Sequence, residues 1–455
     1  MKKRILIVSY LFAPENAIGA VRWSKISKYL SQYYDVSVLC AKDVLNKDTT
    51  LDEAVSNIKN IYRVMDSGIS KKVVKAFNKK KSVRDNYSHL KVDTSNSIKK
   101  RIYLFLREVY SCMLTLIGDY EILKRTKKYL KSNLDIINSF DIVISSYGPK
   151  CNHDIAFWIV NQSNNSIKWI ADFRDGMLSP INLRLYRRFV GIKERKYVKN
   201  ANAVTVVAKG CVSDNAKRYC NNKLYLIHNG YDKSDFTNNF NNINGIVGNQ
   251  KLTFTYTGAL FTSNDRDASI LFEAIRSLID EGIINYDNIV INYAGPDYNI
   301  FFQQASKYMI EKKIVNYGYV SRGTSLKLQA DSDLLIHLTS YNNKNIDVLS
   351  GKLFEYMMMK KNVVSIVIGK YKDSSVKNII EATNLGICCE EANIVNDVAA
   401  LKKFIKEKYE EKMNLGTIKC NINEVEVLKY DYENIAQQFL NICDELMKGD
   451  NCSQC

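Results

Sequence analysis

The stretch of this sequence with the clearest capacity for chemistry reads DVLSGKLFEYMMMKK and begins at Asp347. It places one carboxylate, Glu355, among large apolar side chains. A helix that begins near Ser350 would offer the backbone N–H groups of Ser350, Gly351 and Lys352 to an anion, because the first turn of a helix has unpaired donors. Glu355 would lie about one turn further on and accept hydrogen bonds from vicinal hydroxyls, such as those of ribose. The alternative is that Glu355 belongs to an exposed stripe of a core helix.

A second loop in the same half of the chain carries an arginine. The segment YTGALFTSNDRD follows an apolar run, contains Gly258 at its bend and ends in Arg266 before a helical pattern. A guanidinium in this position can neutralise a diphosphate through forked hydrogen bonds. We therefore predict that Arg266 and the Gly258 bend form part of a phosphate-binding site.

Three loops of the first half also connect strands to helices. The loop APENAIGAVRWSK contains Gly19, which permits close approach of a phosphate to the following helix N-terminus. The loop SSYGPKCNHD brings His153 near a helix start, and we predict a substrate contact there, although a lone histidine is usually structural. In WIADFRDGM, we expect Asp175 to accept a hydrogen bond from a substrate hydroxyl and Asp172 to have a structural role.

Other motifs argue against a metal or a dinucleotide. Residues 331–333 read DSD, a pattern used by some metal-dependent transferases, but they precede an apolar run and so belong to the amino end of a strand. The CSQC at 452–455 has no companion pair for a tetrahedral metal, and the 11 cysteines do not resemble a disulfide framework. The first loop lacks the G-x-G-x-x-G fingerprint, which disfavours NAD, and no P-loop is present.

Strands and helices must position these loops. The sequence predicts them, because short apolar runs alternate with amphipathic helical segments along the chain. Near-continuous apolar runs are typical of parallel strands that are covered on both faces. In such sheets ligands bind beyond the carboxyl ends of the strands, which is where the loops above lie. The predicted strands are residues 4–10, 35–41, 60–66, 141–147, 167–173, 203–208 and 224–229 in the first half, and 252–258, 288–295, 314–320, 334–340, 362–369 and 385–390 in the second.

The alternation predicts an α/β protein with two tandem, doubly wound Rossmann-like domains that face each other across a cleft. The first domain covers residues 1–238 and contains a basic helical insertion at about 66–135. The second covers residues 250–430, after a polar linker rich in Asn and Gly. A helix at 431–448 is predicted to cross back onto the first domain, and a tail follows at 449–455.

The net charge of +17 is the strongest compositional signal, and it is concentrated at residues 70–86 and 184–199. Such a surplus suits phosphorylated substrates or an anionic membrane surface. Aromatic residues are not interleaved with the basic runs in a single-strand-binding pattern, so we expect no nucleic acid partner. No signal peptide is evident, and the longest apolar stretch, 102–118, contains two charged residues and is short for a membrane span. These features predict a cytoplasmic protein.

In order along the chain, these segments resemble the family 4 glycosyltransferases, which have the GT-B fold. The spacing of Asp347 and Glu355 is similar to the family's E-x₇-E element, with Asp in place of the first Glu. The resemblance covers most of the chain. The matching pieces are SYLFAPENAIGAVR, SSYGP with the following histidine, WIADFRD, HNGYD, YTGAL, YAGP and SGKLFEYMMMKKNVV.

The resemblance implies retaining transfer of a sugar from a nucleotide-sugar donor, with UDP or GDP as the expected nucleotide and no required metal or other cofactor. By position, Glu355 would bind the donor ribose and Asp347 the hydroxyls of the donor sugar. The backbone of Ser350–Lys352, with Arg266 and the Gly19 loop, would hold the diphosphate.

The resemblance also implies that His153 and Asp175 face the reacting sugar or the acceptor. The sequence departs from the family pattern in two places. Ala259 stands where the family commonly has an arginine, which leaves Arg266 as the main diphosphate cation. Asp347 is one methylene shorter than glutamate, so the identity of the donor sugar stays open.

Two alternatives to a glycosyltransferase remain open at this point: a UDP-GlcNAc-type 2-epimerase and a non-catalytic scaffold with the same fold. The basic insertion favours a transferase that works on a lipid-linked acceptor or a growing surface polysaccharide, peripherally bound to the inner face of an anionic membrane. The oligomeric state is not indicated by the sequence.

Overall fold

Two parallel β-sheets form the framework of the structure, one in each of two units. The computed structural model describes residues 2–15, 17–44, 47–48, 51–66, 68, 98–164, 166–178, 183–220, 223–235, 251–260, 266–342 and 349–448. The N-terminal unit comprises the chain up to Ile227 together with the residues from Ala436 onward, and the C-terminal unit comprises His228–Ile435. The predicted linker at 236–250 and the predicted tail lie outside the described residues, as does much of the predicted basic insertion.

The sheet of the N-terminal unit is parallel throughout. Its strands are β1 (Arg4–Val8), β2 (Asp35–Ala41), β3 (Asn60–Met65), β4 (Ile142–Ser146), β5 (Lys168–Phe173), β6 (Ala203–Val206) and β7 (Leu224–Leu226). Their order is β3-β2-β1-β4-β5-β6-β7, with Ile5 of β1 aligned with Val36 of β2 and with Ile142 of β4. From β1 the strand order runs outward in one direction through β2 and β3 and in the other through β4 to β7. The gap between β1 and β4 is therefore the topological switch point, where ligands bind in such sheets.

The sheet of the C-terminal unit has the same doubly wound design. Its strands are β8 (Leu252–Thr257), β9 (Ile289–Ala294), β10 (Ile314–Asn316), β11 (Leu334–Ser340), β12 (Asn362–Ile368) and β13 (Gly386–Glu390). Their order is β10-β9-β8-β11-β12-β13, all parallel, so the switch point lies between β8 and β11. The two predicted doubly wound sheets are confirmed.

Burial on both faces explains why the apolar runs form these strands. Every residue of β4 and of β12 is buried, as expected for central parallel strands with helices on both sides. Each predicted run contains one strand. Several strands end before the predicted run does, because the last residues of the run already belong to the loop, as at Val206 and Asn316.

Helices connect the strands in both units. In the N-terminal unit they are α1 (Ile18–Leu30), α2 (Ile98–Lys131), α3 (Leu134–Ile137), α4 (Cys151–Gln162), α5 (Arg184–Asn200) and α6 (Asp214–Lys217). In the C-terminal unit they are α7 (Ser269–Asp280), α8 (Tyr298–Ser306), α9 (Arg322–Ala330), α10 (Gly351–Met359), α11 (Ser375–Thr383), α12 (Ile394–Leu415) and α13 (Glu424–Leu428).

A last helix, α14 (Tyr432–Lys448), begins in the C-terminal unit and continues into the N-terminal unit. Phe439 packs edge-on against Trp23 of α1, with ring centroids 5.2 Å apart, and Asp444 accepts a hydrogen bond of 2.6 Å from Tyr34. The predicted return of the C-terminal helix to the first half of the chain is therefore part of the fold.

A buried carboxylate joins several elements of the N-terminal unit. Asp172, at the end of β5, is fully buried and forms an ion pair of 3.1 Å with the equally buried Arg22 of α1. Its oxygens also accept hydrogen bonds from Trp23 Nε1, Ser146 Oγ and Thr205 Oγ1. Asp172 thus has a structural position, and Arg22 points into the unit instead of toward solvent.

We predict that Asp172→Ala lowers the free energy of unfolding of the N-terminal unit by about 3–5 kcal/mol, because it leaves the Arg22 guanidinium buried without its carboxylate. All three tryptophans lie in this unit, so their fluorescence during urea unfolding reports on it selectively. Asp175→Ala is the control, since that side chain is 67% exposed, and we expect a change within about 0.5 kcal/mol. Equal effects of the two substitutions would contradict this account.

Candidate functional site

The start of helix α10 lies at the switch point of the C-terminal sheet, and a buried histidine holds it. His337 of β11 forms hydrogen bonds through Nε2 with Ser350 Oγ (2.8 Å) and through Nδ1 with Ser365 Oγ (2.9 Å). Burial and the nearby Arg266 guanidinium lower the pKa of His337 to about 3, so the imidazole is neutral. Ser350 is the N-cap of α10, but its side chain makes no capping hydrogen bond to that helix. This hydroxyl therefore leaves the first-turn N–H donors of α10 for another acceptor.

The carboxylate of Glu355 lies one turn into α10 among cations. Its Oε2 accepts a hydrogen bond of 2.8 Å from Lys352 Nζ, and its Oε1 lies 4.0 Å from Nη1 of Arg322. Desolvation acts to raise the pKa of Glu355, but Lys352, Arg322 and the hydrogen bonds to the carboxylate outweigh it, so the pKa lies below the ordinary value. About one-fifth of the side chain is exposed. Glu355 is thus an ionised acceptor within reach of solvent, which does not fit the alternative of a fully exposed stripe.

A glutamine on the neighbouring helix completes the surroundings of this carboxylate. Gln329 of α9 is fully buried and donates through Nε2 to Thr257 Oγ1 (2.9 Å) and to Glu355 Oε2 (3.3 Å). Thr257 is the last residue of β8, so this amide connects the strand end to the Glu355 carboxylate. Arg322, at the start of the same helix, also lies 3.5 Å from Asp235. No recognisable motif contains Gln329, Arg322 or His337, so their place in this site could not be predicted from the sequence.

Gly258 follows β8 directly and lies beside Lys352. Its φ of +134° is a conformation that other residues rarely adopt. A Cβ at this position would be 3.7 Å from Cε of Lys352, and a Cβ at Gly295 would collide with the carbonyl of Gly258. The two strand ends YTG and YAG therefore approach each other through their backbones, next to the start of α10.

Arg266 lies near the same strand end. Its Nη1 donates a hydrogen bond to the carbonyl of Ala259, and its charge influences the pKa of His337. The structure thus brings together Gly258, Arg266, Lys352 and Glu355 at one edge of the C-terminal sheet. Asp347, the other predicted donor-site carboxylate, lies outside the described residues.

The corresponding edge of the N-terminal sheet is dominated by an arginine. The Arg174 guanidinium lies against Gly19 and Gly148, and a Cβ at either glycine would collide with it. Its Nε donates a hydrogen bond of 2.7 Å to the carbonyl of Tyr147. Asp175, the next residue, is two-thirds exposed and lies 3.6 Å from Arg174 Nε. The group that lies close to Gly19 is thus the Arg174 guanidinium, for which the sequence predicted no role.

His153 lies inside the N-terminal unit and not at its surface. The ring is fully buried, accepts or donates a hydrogen bond of 2.7 Å with Ser145 Oγ, and packs 4.7 Å from the ring of Phe173. Burial lowers the pKa of His153 to about 4, although the carboxylates of Asp172 and Asp154 act in the opposite direction. A fully buried imidazole does not contact a ligand in this conformation, so the structure does not show the predicted substrate contact.

The DSD segment contributes to packing. Asp333, just before β11, accepts hydrogen bonds from Lys412 Nζ (2.9 Å) and from the backbone N–H of Thr253 (3.0 Å). Across the described ranges of the chain, no group of three His, Cys, Asp or Glu side chains is arranged to hold a metal ion. In the same ranges, no helix is long and apolar enough to cross a membrane.

Solved structures resemble the whole chain despite low sequence identity. The α,α-trehalose 6-phosphate synthase from Burkholderia multivorans matches with a TM-score of 0.56 and 9% identity, over 99% of this chain and 100% of that chain. The lipopolysaccharide outer core galactosyltransferase WaaB matches with a TM-score of 0.54 and 11% identity, over 97% and 99% of the two chains. A TarM variant from S. aureus, in complex with fondaparinux, α-GlcNAc-glycerol and UDP, matches with a TM-score of 0.52 and 11% identity, over 97% and 99%. The fold is GT-B.

The sequence itself matches no protein-family model and no curated protein. Identities of 9–11% show the fold alone, and the activity depends on which residues this chain has at its own site. In the C-terminal unit of this GT-B protein, those residues are the cations and the carboxylate at the start of α10.

The buried His153 makes the stability of the N-terminal unit depend on pH. The folded pKa of His153, about 4, lies below the ordinary value of 6.5. Its contribution to the free energy of unfolding is therefore complete above pH 6.5 and is lost as the pH falls toward 4, at roughly 1.4 kcal/mol per pH unit. We predict that His153→Gln flattens this slope when urea unfolding is followed by tryptophan fluorescence. His337→Gln is the control, because His337 belongs to the C-terminal unit and should leave the slope unchanged. An unchanged slope in His153→Gln would show that the buried ring is not the cause.

Proposed function

We propose that this chain is a retaining glycosyltransferase of the family 4 type, which transfers a sugar from a nucleotide-diphosphate sugar to an acceptor and requires no metal. The observation that carries the proposal is the ionised Glu355 carboxylate, held by Lys352, Gln329 and Arg322 one turn inside a helix whose N-terminus lies at the switch point of the sheet. A carboxylate and an anion-binding helix start, side by side, match the ribose and the diphosphate of such a donor.

The donor would be bound almost entirely by the C-terminal unit. Glu355 would accept hydrogen bonds from the ribose hydroxyls, and the backbone of Ser350–Lys352 would bind the diphosphate. Arg266 and the side chain of Lys352 would supply positive charge, and the backbone at Gly258 would leave room for the ligand. Asp347 would bind the hydroxyls of the donor sugar. UDP and GDP are the expected nucleotides, and a complex that contains UDP is among the similar GT-B structures.

Charge development explains what these groups would do during the reaction. As the anomeric C–O bond breaks, negative charge grows on the departing diphosphate, and preorganised cations and helix N–H donors stabilise it most in the transition state. Arg266 and the start of α10 would provide this stabilisation. The acceptor hydroxyl would attack from the face of the departing group, and the diphosphate would take its proton.

Two residues of the N-terminal unit would act on the acceptor side, Asp175 and His153. Asp175 is exposed and can accept a hydrogen bond from a sugar hydroxyl. The Gly19 loop would contribute to the diphosphate site, with Arg174 lying against it. For His153 we propose a positioning role, because its buried ring fixes Ser145 and Phe173 at the end of the sheet.

The direct test is a thermal-shift screen against UDP-, GDP-, ADP- and dTDP-sugars, because a ligand that binds the folded state raises its stability. The selected donor is then incubated with and without candidate glycan acceptors, and NMR of the product reports the anomeric configuration. A transferase needs the acceptor and, if retaining, preserves that configuration. Conversion of the sugar to its C2 epimer without an acceptor would identify an epimerase, and binding without turnover would identify a scaffold.

We predict that Glu355→Gln weakens binding of the selected nucleotide by at least about tenfold, because the hydroxyls lose a charged acceptor. Isothermal titration calorimetry measures the change. Glu424→Gln is the matched control: Glu424 lies exposed on α13 of the same unit, where it pairs with Lys360, and we expect unchanged affinity. Unchanged nucleotide affinity in Glu355→Gln would remove the proposed donor site.

A peripheral membrane location is the second part of the proposal, and helix α2 supports it. Five apolar or aromatic side chains recur along one face at spacings of four, seven, four and three residues, and each is about half exposed or more. We name this set the α2 apolar stripe: Ile102, Leu106, Met113, Ile117 and Tyr120. An exposed apolar stripe on a protein of net charge +17 fits the inner face of an anionic membrane, where a lipid-linked acceptor for surface polysaccharide would be available.

We predict that the protein cosediments with anionic vesicles at low salt and that Leu106→Ser with Met113→Ser weakens this binding by at least about tenfold. The control is Val395→Ser with Val425→Ser, two side chains of the C-terminal unit that are 84% and 72% exposed. That pair removes a comparable amount of exposed apolar surface elsewhere, so vesicle binding should persist. A wild-type protein that stays in the supernatant would contradict membrane association.

A further inference from the structure

Helix α5 borders a cavity of about 560 Å³ in the N-terminal unit, which has no part in the donor site described above. Four arginines of this helix line it, and we name the cavity with these residues the arginine groove: Arg184, Arg187, Arg188 and Arg195. Leu178, Gly191 and residues 213–215 complete its lining.

The spacing of the arginines places all four on one face of the helix. At 3.6 residues per turn, positions 184, 187, 188 and 195 fall within an arc of about 100° around the helix axis, and Gly191 lies near the middle of that arc. A Cβ at Gly191 would contact only Leu178, at 3.9 Å. The missing side chain leaves the middle of the stripe open, so the arginines surround a groove instead of filling it.

The positive charge of the groove is not balanced from within the described part of the chain. No carboxylate there lies within ion-pairing distance of the four guanidinium groups, all of which are exposed. Asp214, the acidic residue that lines the groove, pairs with Lys217 at 2.8 Å. Glu194 of the same helix is buried and accepts a hydrogen bond from the backbone N–H of Ser213. Four like charges in one concave surface repel each other unless an anion joins them.

We propose that the arginine groove binds phosphate groups carried along the glycan acceptor, so that the substrate class is a phosphate-bearing, polyanionic glycan. This inference rests on the proposed transferase function and adds the acceptor class to it. Guanidinium groups bind phosphate oxygens in pairs of parallel hydrogen bonds, which suits arginine better than lysine for this task. The stripe from Arg184 to Arg195 extends about 16 Å along the helix at 1.5 Å per residue. That length matches a chain with several phosphates and exceeds what one phosphate can span.

The lining of the groove argues against other polyanions. It contains no aromatic side chain, so the bases of a single-stranded nucleic acid would find nothing on which to stack. The exposed apolar residues of α5 lie on a separate stripe, formed by Leu185, Phe189 and Ile192. Leu178 is the one large apolar residue of the groove itself. A concave, arginine-lined surface with little apolar area suits a soluble anionic chain and not the interior of a lipid headgroup layer.

The test is calorimetric titration of the full-length protein with short-chain inorganic polyphosphate, in excess UDP and GDP so that the donor site is occupied. Arg187→Gln with Arg188→Gln should weaken binding by at least about tenfold, since two charge-assisted contacts are lost. The control is Lys196→Gln with Lys199→Gln, which removes the same charge from the same helix outside the groove. We expect less than about a twofold effect from the control pair.

Three results would overturn the inference. The first is the absence of polyphosphate binding by the wild type, and the second is an equal loss in the two double variants, which would indicate attraction by net charge alone. The third is a wild type that binds anionic vesicles but not polyphosphate, together with loss of vesicle binding in Arg187→Gln with Arg188→Gln. That result would assign the arginines to lipid headgroups. Thermal shifts with nucleotide sugars are recorded on the same variants. Intact donor binding without polyphosphate binding refutes the acceptor class only, whereas lost donor recognition by the wild type refutes the transferase itself.

Discussion

When a parallel sheet is buried on both faces, polar side chains can meet a ligand at the carboxyl ends of its strands, and this constraint applies to both units of the protein. Side chains within β4 and β12 are buried throughout, so charged groups can meet a ligand only in the loops where strands end and helices begin. In the N-terminal unit the segments after the two strands at the switch point contain Gly19 and Gly148, and in the C-terminal unit Gly258 follows β8 directly. At these glycines the backbone comes close to the guanidinium of Arg174 or to the side chain of Lys352.

Within the C-terminal unit, the balance of charge around Glu355 determines what the site can do. Desolvation alone would favour the neutral acid, and the adjacent cations reverse that preference. Lys352 has two tasks, since it pairs with Glu355 and stands beside Gly258 at the start of α10. A bound diphosphate would compete for this ammonium group and leave Gln329 and Arg322 as the main partners of the carboxylate. His337 would hold Ser350 in place during such an exchange, because its ring is buried and hydrogen-bonded through both nitrogens.

Sequence patterns predicted the framework better than the site. Runs such as DVSVLCA and LLIHLTS are strands at the predicted bounds, because double-sided burial imposes an apolar pattern that local composition reveals. The grouping of Gly258, Lys352 and Glu355 could also be predicted, since strand ends and helix starts have recognisable residues. Gln329, Arg322 and His337 could not, because their roles depend on which helices pack together. His153 shows the opposite limit: its place near a helix start suggested a ligand contact, but aromatic side chains of β5 and α5 bury it.

The distribution of positive charge separates two kinds of surface on the N-terminal unit. Helix α5 divides its exposed side into a stripe of arginines around Gly191 and a stripe of apolar residues with lysines, 196 and 199, among them. Arginine and lysine are not equivalent here: guanidinium groups bind phosphate in a defined geometry, whereas lysines beside apolar residues attract an anionic surface without one. The proposed transferase would use both properties, attachment to a membrane surface and alignment of a charged acceptor chain. Under that proposal the net charge of +17 would serve two requirements, and the arginines around Gly191 would supply the part that recognises the acceptor.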